Sequence, residues 1–163
     1  MRGRKMTVTA CIISGCHRKP FANDLCNTHN MRKHRHGNPN YVRPTTEQLF
    51  WGRVEITTEN GCWPWRGAID RDGYGHFTYW NDGRVISYRA HRYTYERLIG
   101  PISAGLQIDH LCHNTDKTCK GIRQGCPHRR CVNPAHLEPV SVVENLQRSH
   151  VFHGHKIISR QGH

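Results

Sequence analysis

The sequence predicts a small α+β protein held by bound metal as much as by an apolar interior. Three observations lead there. Only 36% of the 163 residues are hydrophobic, which leaves a thin core. Eight cysteines and 14 histidines crowd a chain that has no apolar run of membrane-spanning length. A strand, turn, strand pattern lies among stretches of helical periodicity, so both element types are expected in one body.

The cysteines need a setting before they can be read. Met1 to Cys11 lacks the apolar core of a signal peptide, so a soluble, intracellular, reducing environment is expected. There, clustered Cys and His are zinc ligands more often than bridged pairs. The rival, a disulfide-stabilised extracellular interaction protein, predicts bridged cysteines and no metal.

Residues 1–40 read as an N-terminal zinc module with a basic linker. Cys11 and Cys16 are separated by four residues, and Cys26 and His29 by two, with nine residues between the pairs. Two short-spaced pairs joined by a turn-rich loop can close a tetrahedron around Zn²⁺. The basic run from Asn30 to Gly37 reads as a short helix, with Arg32, Lys33 and Arg35 as candidate contacts to DNA phosphates. The net charge of +12 favours such a polyanionic partner, and Lys and Arg are spread along the chain.

Residues 41–148 read as the main domain. Thr45 or Thr46 can cap a helix carrying Leu49, Phe50 and Val54, and Trp63 and Trp65 read as buried anchors. Residues 74–80 and 84–89 flank Asn81-Asp82-Gly83, a hairpin signal. A two-stranded ribbon fits a DNA major groove, so His76, Thr78, Arg84 and Arg89 are candidate target-reading residues. Residues 90–99 read as a helix stopped by Gly100-Pro101, with Tyr95, Leu98 and Ile99 on its apolar side.

The chemistry concentrates in Asp109-His110-Leu111-Cys112-His113-Asn114, answered by Cys131-Val132-Asn133-Pro134-Ala135-His136-Leu137 and by Ser141-Val142-Val143-Glu144-Asn145. Leu106 to Asp109 reads as a short strand delivering His110, a candidate general base, to its end. Asp109 and Asn145 are hard oxygen donors suited to Mg²⁺ or Mn²⁺. Ser141 and Glu144 fit a capping box that starts a helix bearing Asn145. Asp109 and His110 cannot share a site from an ideal strand, so the strand must twist, bulge or end there.

Cys112, Cys131 and His136 can share a zinc, with Cys62 as the cysteine left over from every local cluster. His113, Cys119, Cys126 and His128 can form another site. The alternative gathers Cys112, Cys119, Cys126 and Cys131 around one ion. Two or three structural Zn²⁺ ions are expected; three on eight thiolates would still leave a net charge of +10.

At these residues the chain resembles the HNH endonucleases, especially the zinc-containing phage and His-Cys box homing branch of the ββα-metal, or His-Me finger, superfamily. The resemblance extends over roughly residues 46–148 and takes in Cys62-Trp63-Pro64-Trp65, Gly73-Tyr74-Gly75 and Ala90-His91-Arg92. It implies a zinc-stabilised ββα-metal core at about residues 106–148. His110 would be the general base, and Asn145 with Asp109 the ligands of a catalytic Mg²⁺ or Mn²⁺. Cys62, Cys112, Cys131 and His136 would form one structural zinc site, and Asn133 would hold a turn. Arg84 or Arg89 would serve as the arginine near the scissile phosphate.

The implied activity is sequence-directed hydrolysis of double-stranded DNA to 5′-phosphate and 3′-hydroxyl ends, in the cytoplasm of a bacterial host if the chain is phage-encoded. A monomer would nick, whereas a homodimer would address both strands. The alternative is a zinc-dependent DNA-binding protein without catalysis, and no membrane role is expected. The tail from residue 149 to 163 reads as a dimer arm, a DNA-contacting arm or disorder, with disorder the expectation.

Overall fold

In a computed structural model of the chain, the described residues are 8–119, 121 and 125–152. They fall into two compact units that divide after Thr45. None of the described helices is long and apolar enough to cross a membrane.

The first unit is a folded-back loop and one helix. Cys11 N–H donates to Arg18 O and Ile12 N–H to Asp24 O, both at 2.9 Å, which folds the loop back on itself. Ala22 and Leu25 bridge across Asn23 and Asp24, whose φ angles of 52° and 59° suit residues that tolerate the left-handed region. Helix α1 (Asn27–His36) follows, and Gly37 closes it at φ 70° with its N–H on Lys33 O. Cys11, Leu25 and Cys26 form the buried centre.

The second unit is a small α+β body with two antiparallel hairpins. Helix α2 (Thr46–Trp51) buries Phe50 against Trp65 at 5.0 Å, Phe77 at 5.0 Å and Tyr93 at 4.4 Å. With Ala90 and Val132 these residues are the core. Trp65 fixes the composition around it: a Cβ added at Gly75 would stand 2.7 Å from the indole and 3.0 Å from Ala90 Cβ, so only glycine fits that approach.

Strands β1 (His76–Asn81) and β2 (Arg84–Arg89) form the first hairpin. Asp82 at φ 45° and Gly83 at φ 76° give the turn that matches strand twist. Helix α3 (Ala90–Leu98) buries Ala90, His91, Tyr93 and Thr94. The expected apolar side was misplaced: Leu98 and Ile99 are at least half exposed and Tyr95 is only partly buried. Tyr93 sets the rotation of the helix by packing on Phe50 and Phe77.

Strand β3 (Gln107–His110) pairs antiparallel with β4 (Leu137–Val140), placing His110 opposite Leu137 and Asp109 opposite Glu138. Between them lie the short helix α4 (Leu111–Thr115) and two single 3₁₀ turns. Helix α5 (Val142–Phe152) follows β4 and runs a few residues into the segment expected to be disordered. The rest of that tail lies outside the described residues.

Candidate metal centres and the His110 cavity

Among the described residues, three groups of four Cys and His side chains are assembled, with the ligand atoms of each within 4.8 Å of one another. They are Cys11, Cys16, Cys26 and His29; Cys62, Cys112, Cys131 and His136; and His113, Cys119, Cys126 and His128. The four-cysteine arrangement is not the one assembled. All eight cysteines are unbridged thiols.

Their dimensions test whether zinc fits. A tetrahedron with Zn–S of about 2.3 Å and Zn–N of about 2.0–2.1 Å has edges of about 3.8 Å between sulfurs and about 3.6 Å between sulfur and nitrogen. In the first group Cys16 and Cys26 sulfurs are 3.9 Å apart, and His29 Nδ1 lies 3.3 Å from both Cys11 and Cys26. In the second, His136 Nδ1 lies 3.6 Å from both Cys62 and Cys131. In the third, Cys119 and Cys126 are 3.5 Å apart, and the Nδ1 atoms of His113 and His128 stand 3.6 and 3.8 Å from Cys126. These distances lie within about 0.3 Å of the edges of a zinc tetrahedron, so each group could hold a zinc ion.

The other ring nitrogens agree. His136 Nε2 is 3.1 Å from Asn60 O, and His128 Nε2 is 3.6 Å from the Asp116 carboxylate. A backbone carbonyl or carboxylate on the far nitrogen fixes the tautomer that leaves Nδ1 for metal. In the second group a hydrogen bond from Cys112 holds the Cys131 thiol down at about 5, while burial pushes Cys62 up to about 11. Cys131 is thus the first of these thiols to ionise.

The second group does structural work. Asn133, 1% exposed, donates through Nδ2 to Glu59 O (3.1 Å) and Gly61 O (2.7 Å), and its Oδ1 accepts from Ala135 N–H at 3.0 Å. One side chain therefore joins the loop before Cys62 to the turn before His136. Backbone bonds from Trp65 N–H to Arg130 O and from Val132 N–H to Trp63 O lock the same two segments.

Beside this scaffold, Asp109, His110, Asn114, Arg129, Asn145 and Tyr74 help to line a cavity of about 240 Å³. The strand parity problem is solved by termination. β3 ends at His110, α4 begins at Leu111, and the Asp109 carboxylate folds back to accept the His110 N–H at 2.7 Å. Both side chains then reach the cavity.

His110 is 6% exposed, and its Nε2 lies 3.2 Å from Cys131 O. A carbonyl only accepts, so Nε2 carries the proton and Nδ1 keeps an open lone pair. Burial lowers the His110 pKa to about 4, against the opposing pull of the Cys131 carbonyl and the Asp109 charge. The imidazole is neutral at pH 7. Buried His91 packs edge-on against it at 4.8 Å and is also held neutral by burial.

Asp109 and Asn145 present hard oxygens, the donor type Mg²⁺ and Mn²⁺ take. Asn145 donates Nδ2 to Gln107 Oε1 at 2.7 Å, which leaves its Oδ1 for a cation. Asp109 Oδ2 accepts from Asn114 at 2.5 Å and from Arg148 at 3.0 Å, so a cation there must compete with Arg148. The donor set fits; Arg148 modulates it. Ser141 caps α5 as expected, with its Oγ 3.1 Å from Glu144 N, but the Glu144 carboxylate turns to Arg148 instead of completing the box.

Sequence reasoning missed Arg129, Tyr74 and Arg148. Neither Arg84 nor Arg89 lines the cavity, whereas Arg129 does, held over Tyr74 at 5.0 Å and donating to Asp72 O at 2.7 Å. Its place between Cys126 and Cys131, ligands of two different groups, was the available signal. On the hairpin, His76, Thr78 and Arg89 share one face with exposed Trp80 and Val85, while Arg84 has the opposite parity. Arg89 pairs with Asp70 (3.3 Å) and covers Tyr74, and His76 Nε2 lies 2.6 Å from Ser87 Oγ.

Two proteins of Escherichia phage T7 are similar to this chain. Protein 7.7 is 30% identical over 76 residues, covering 47% of this chain and 45% of its own length. Protein 2.8 is 29% identical over 93 residues, covering 57% and 51%. The chain thus spans about half the length of these curated relatives. No protein-family model and no solved structure matches it.

Proposed function

We propose that the protein is a metal-dependent DNA endonuclease of the HNH type, with β3, β4 and α5 as its ββα-metal core. The observation that carries this reading is the state of His110: neutral, with Nε2 committed to Cys131 O and Nδ1 open, in a cavity it shares with Asp109 and Asn145. A DNA-binding module has no use for that combination.

In the proposed reaction, His110 Nδ1 takes the proton of a water that attacks phosphorus in line. Arg129 contacts the scissile phosphate. Asp109 and Asn145 would hold one Mg²⁺ or Mn²⁺, which when bound stabilises charge on the departing 3′ oxygen. The products carry 5′-phosphate and 3′-hydroxyl. Zinc in four-ligand sites has no open position and remains structural. The net charge of +12 supports double-stranded DNA as substrate, and the similarity to two phage proteins supports a phage enzyme acting in a bacterial cytoplasm.

The test is conversion of supercoiled plasmid with added Mg²⁺, comparing wild type with His110→Ala at equal zinc content. Loss of a general base should slow cutting by about 10²–10⁴-fold. Equal rates would remove His110 from the chemistry. A zinc-loaded wild type that binds the plasmid and never cuts it would favour the binding-only alternative.

A further inference from the structure

The charge surplus is unevenly placed. Residues 1–45 carry nine Lys or Arg and one acid, Asp24, which is +8 of the +12. Within this unit a cleft of about 350 Å³ opens between the loop 13–18 and the first turns of α1. His17 and Arg18 stand on the loop side and Thr28 and Arg32 on the helix side. Cys16 and His29 also line it, so the candidate zinc group ties both walls together. Asp24 does not line it.

The walls are organised for an anion. Arg18 donates through NH1 to Thr28 Oγ1 at 2.7 Å, which holds one guanidinium across the start of α1. That helix has no acid in its first turn; the Cys26 sulfur of the candidate zinc group meets the backbone N–H groups of His29 and Thr28, so the charge offered to an anion in the cleft is that of Arg18 and Arg32. Arg32 is half buried toward the cleft, whereas Lys33 and Arg35, the other two α1 cations expected to meet DNA, are exposed and do not line it.

We infer that this cleft is a binding site for the phosphodiester backbone of duplex DNA, with Arg18 and Arg32 as its two cationic contacts. It gives the first unit a task separate from cutting: sequence-independent, salt-dependent anchoring. This goes beyond the nuclease reading and shares with it only the choice of DNA.

The experiment uses the full-length zinc-loaded protein without added Mg²⁺ and a random-sequence 20-base-pair duplex, with anisotropy followed from 50 to 200 mM KCl. Each phosphate contact contributes about 0.9 to the slope of log K against log salt. Arg18→Gln/Arg32→Gln should therefore flatten the slope by about 1.8, or roughly 12-fold in the affinity lost over that fourfold range. Lys19→Gln/Arg43→Gln removes equal charge outside the cleft and should change the slope by less than half as much.

Equal effects of the two double variants would overturn the inference, as would tighter binding to duplex RNA of the same length. If the first double variant loses zinc, Arg32→Gln alone carries the comparison at about half the slope change. Because nothing is cleaved in this assay, failure of the nuclease reading and failure of the cleft are separate outcomes.

Discussion

Asn133 separates a scaffold role from a chemical one. It is 1% exposed, and its amide spans three backbone groups: Glu59 O, Gly61 O and Ala135 N–H. Asn133→Ala breaks all three bonds. At about 1 kcal/mol each the cost is about 3 kcal/mol, and it rises toward about 5 where the stranded groups stay dry. Asn133→Asp keeps the Ala135 bond but turns an acceptor on two carbonyls at 2.7 and 3.1 Å, in a place where an unpaired charge has no compensation.

For a unit of this size roughly 3 kcal/mol corresponds to about a 10 °C fall in Tm. Near-UV circular dichroism melts with parallel zinc analysis measure it. Both variants should melt at least about 10 °C below wild type, and zinc should leave the Cys62 group first. An Asn133→Asp protein that melts within about 2 °C of wild type and has lost cutting would refute the scaffold account and put Asn133 in the chemistry.

Three further outcomes follow. Protein purified under reducing conditions should hold close to three zinc ions per chain, and a strong chelator should abolish its cooperative melt, since structural zinc of this kind contributes on the order of 10 kcal/mol to folding. Arg148→Gln removes one of the two donors on Asp109 Oδ2 and the positive charge beside it, so Mn²⁺ binding followed by electron paramagnetic resonance should tighten severalfold; weaker binding would mean that Arg148 does not compete with the cation. Glu47 gives a pH signature. Burial alone would raise its pKa, but hydrogen bonds from Tyr93 and Trp51 and the Arg97 pair outweigh it and hold it low. Its stabilisation is therefore present above the unfolded carboxylate value of about 4.3 and fades as pH falls through the lower folded value. The Tm gap between wild type and Glu47→Gln should be constant near neutrality and shrink in acid.

Local spacing made most of the metal chemistry legible. Cys11, Cys16, Cys26 and His29 declare themselves within 19 residues, and Cys62 followed by elimination although it lies far from its partners in sequence. A departure from regular strand geometry at Asp109 and His110 was anticipated because two adjacent side chains had to face one site; of a twist, a bulge or an end, the structure shows the end. What stayed hidden depends on tertiary rotation. The buried face of α3 follows Tyr93, which meets Phe50 and Phe77 only once the chain is folded. Arg148 was not visible because its three carboxylate partners, Asp109, Glu138 and Glu144, come from β3, β4 and α5. The turn of Glu144 toward Arg148 also undid half of the capping box.

The most direct measurement is capture and sequencing of 5′-phosphate ends from a random-sequence duplex library treated with zinc-loaded protein and Mg²⁺. The account predicts that wild type creates new 5′-phosphate ends at preferred sequences, that His110→Ala does not, and that omitting Mg²⁺ silences both. No new ends from wild type, or as many from His110→Ala, would contradict it.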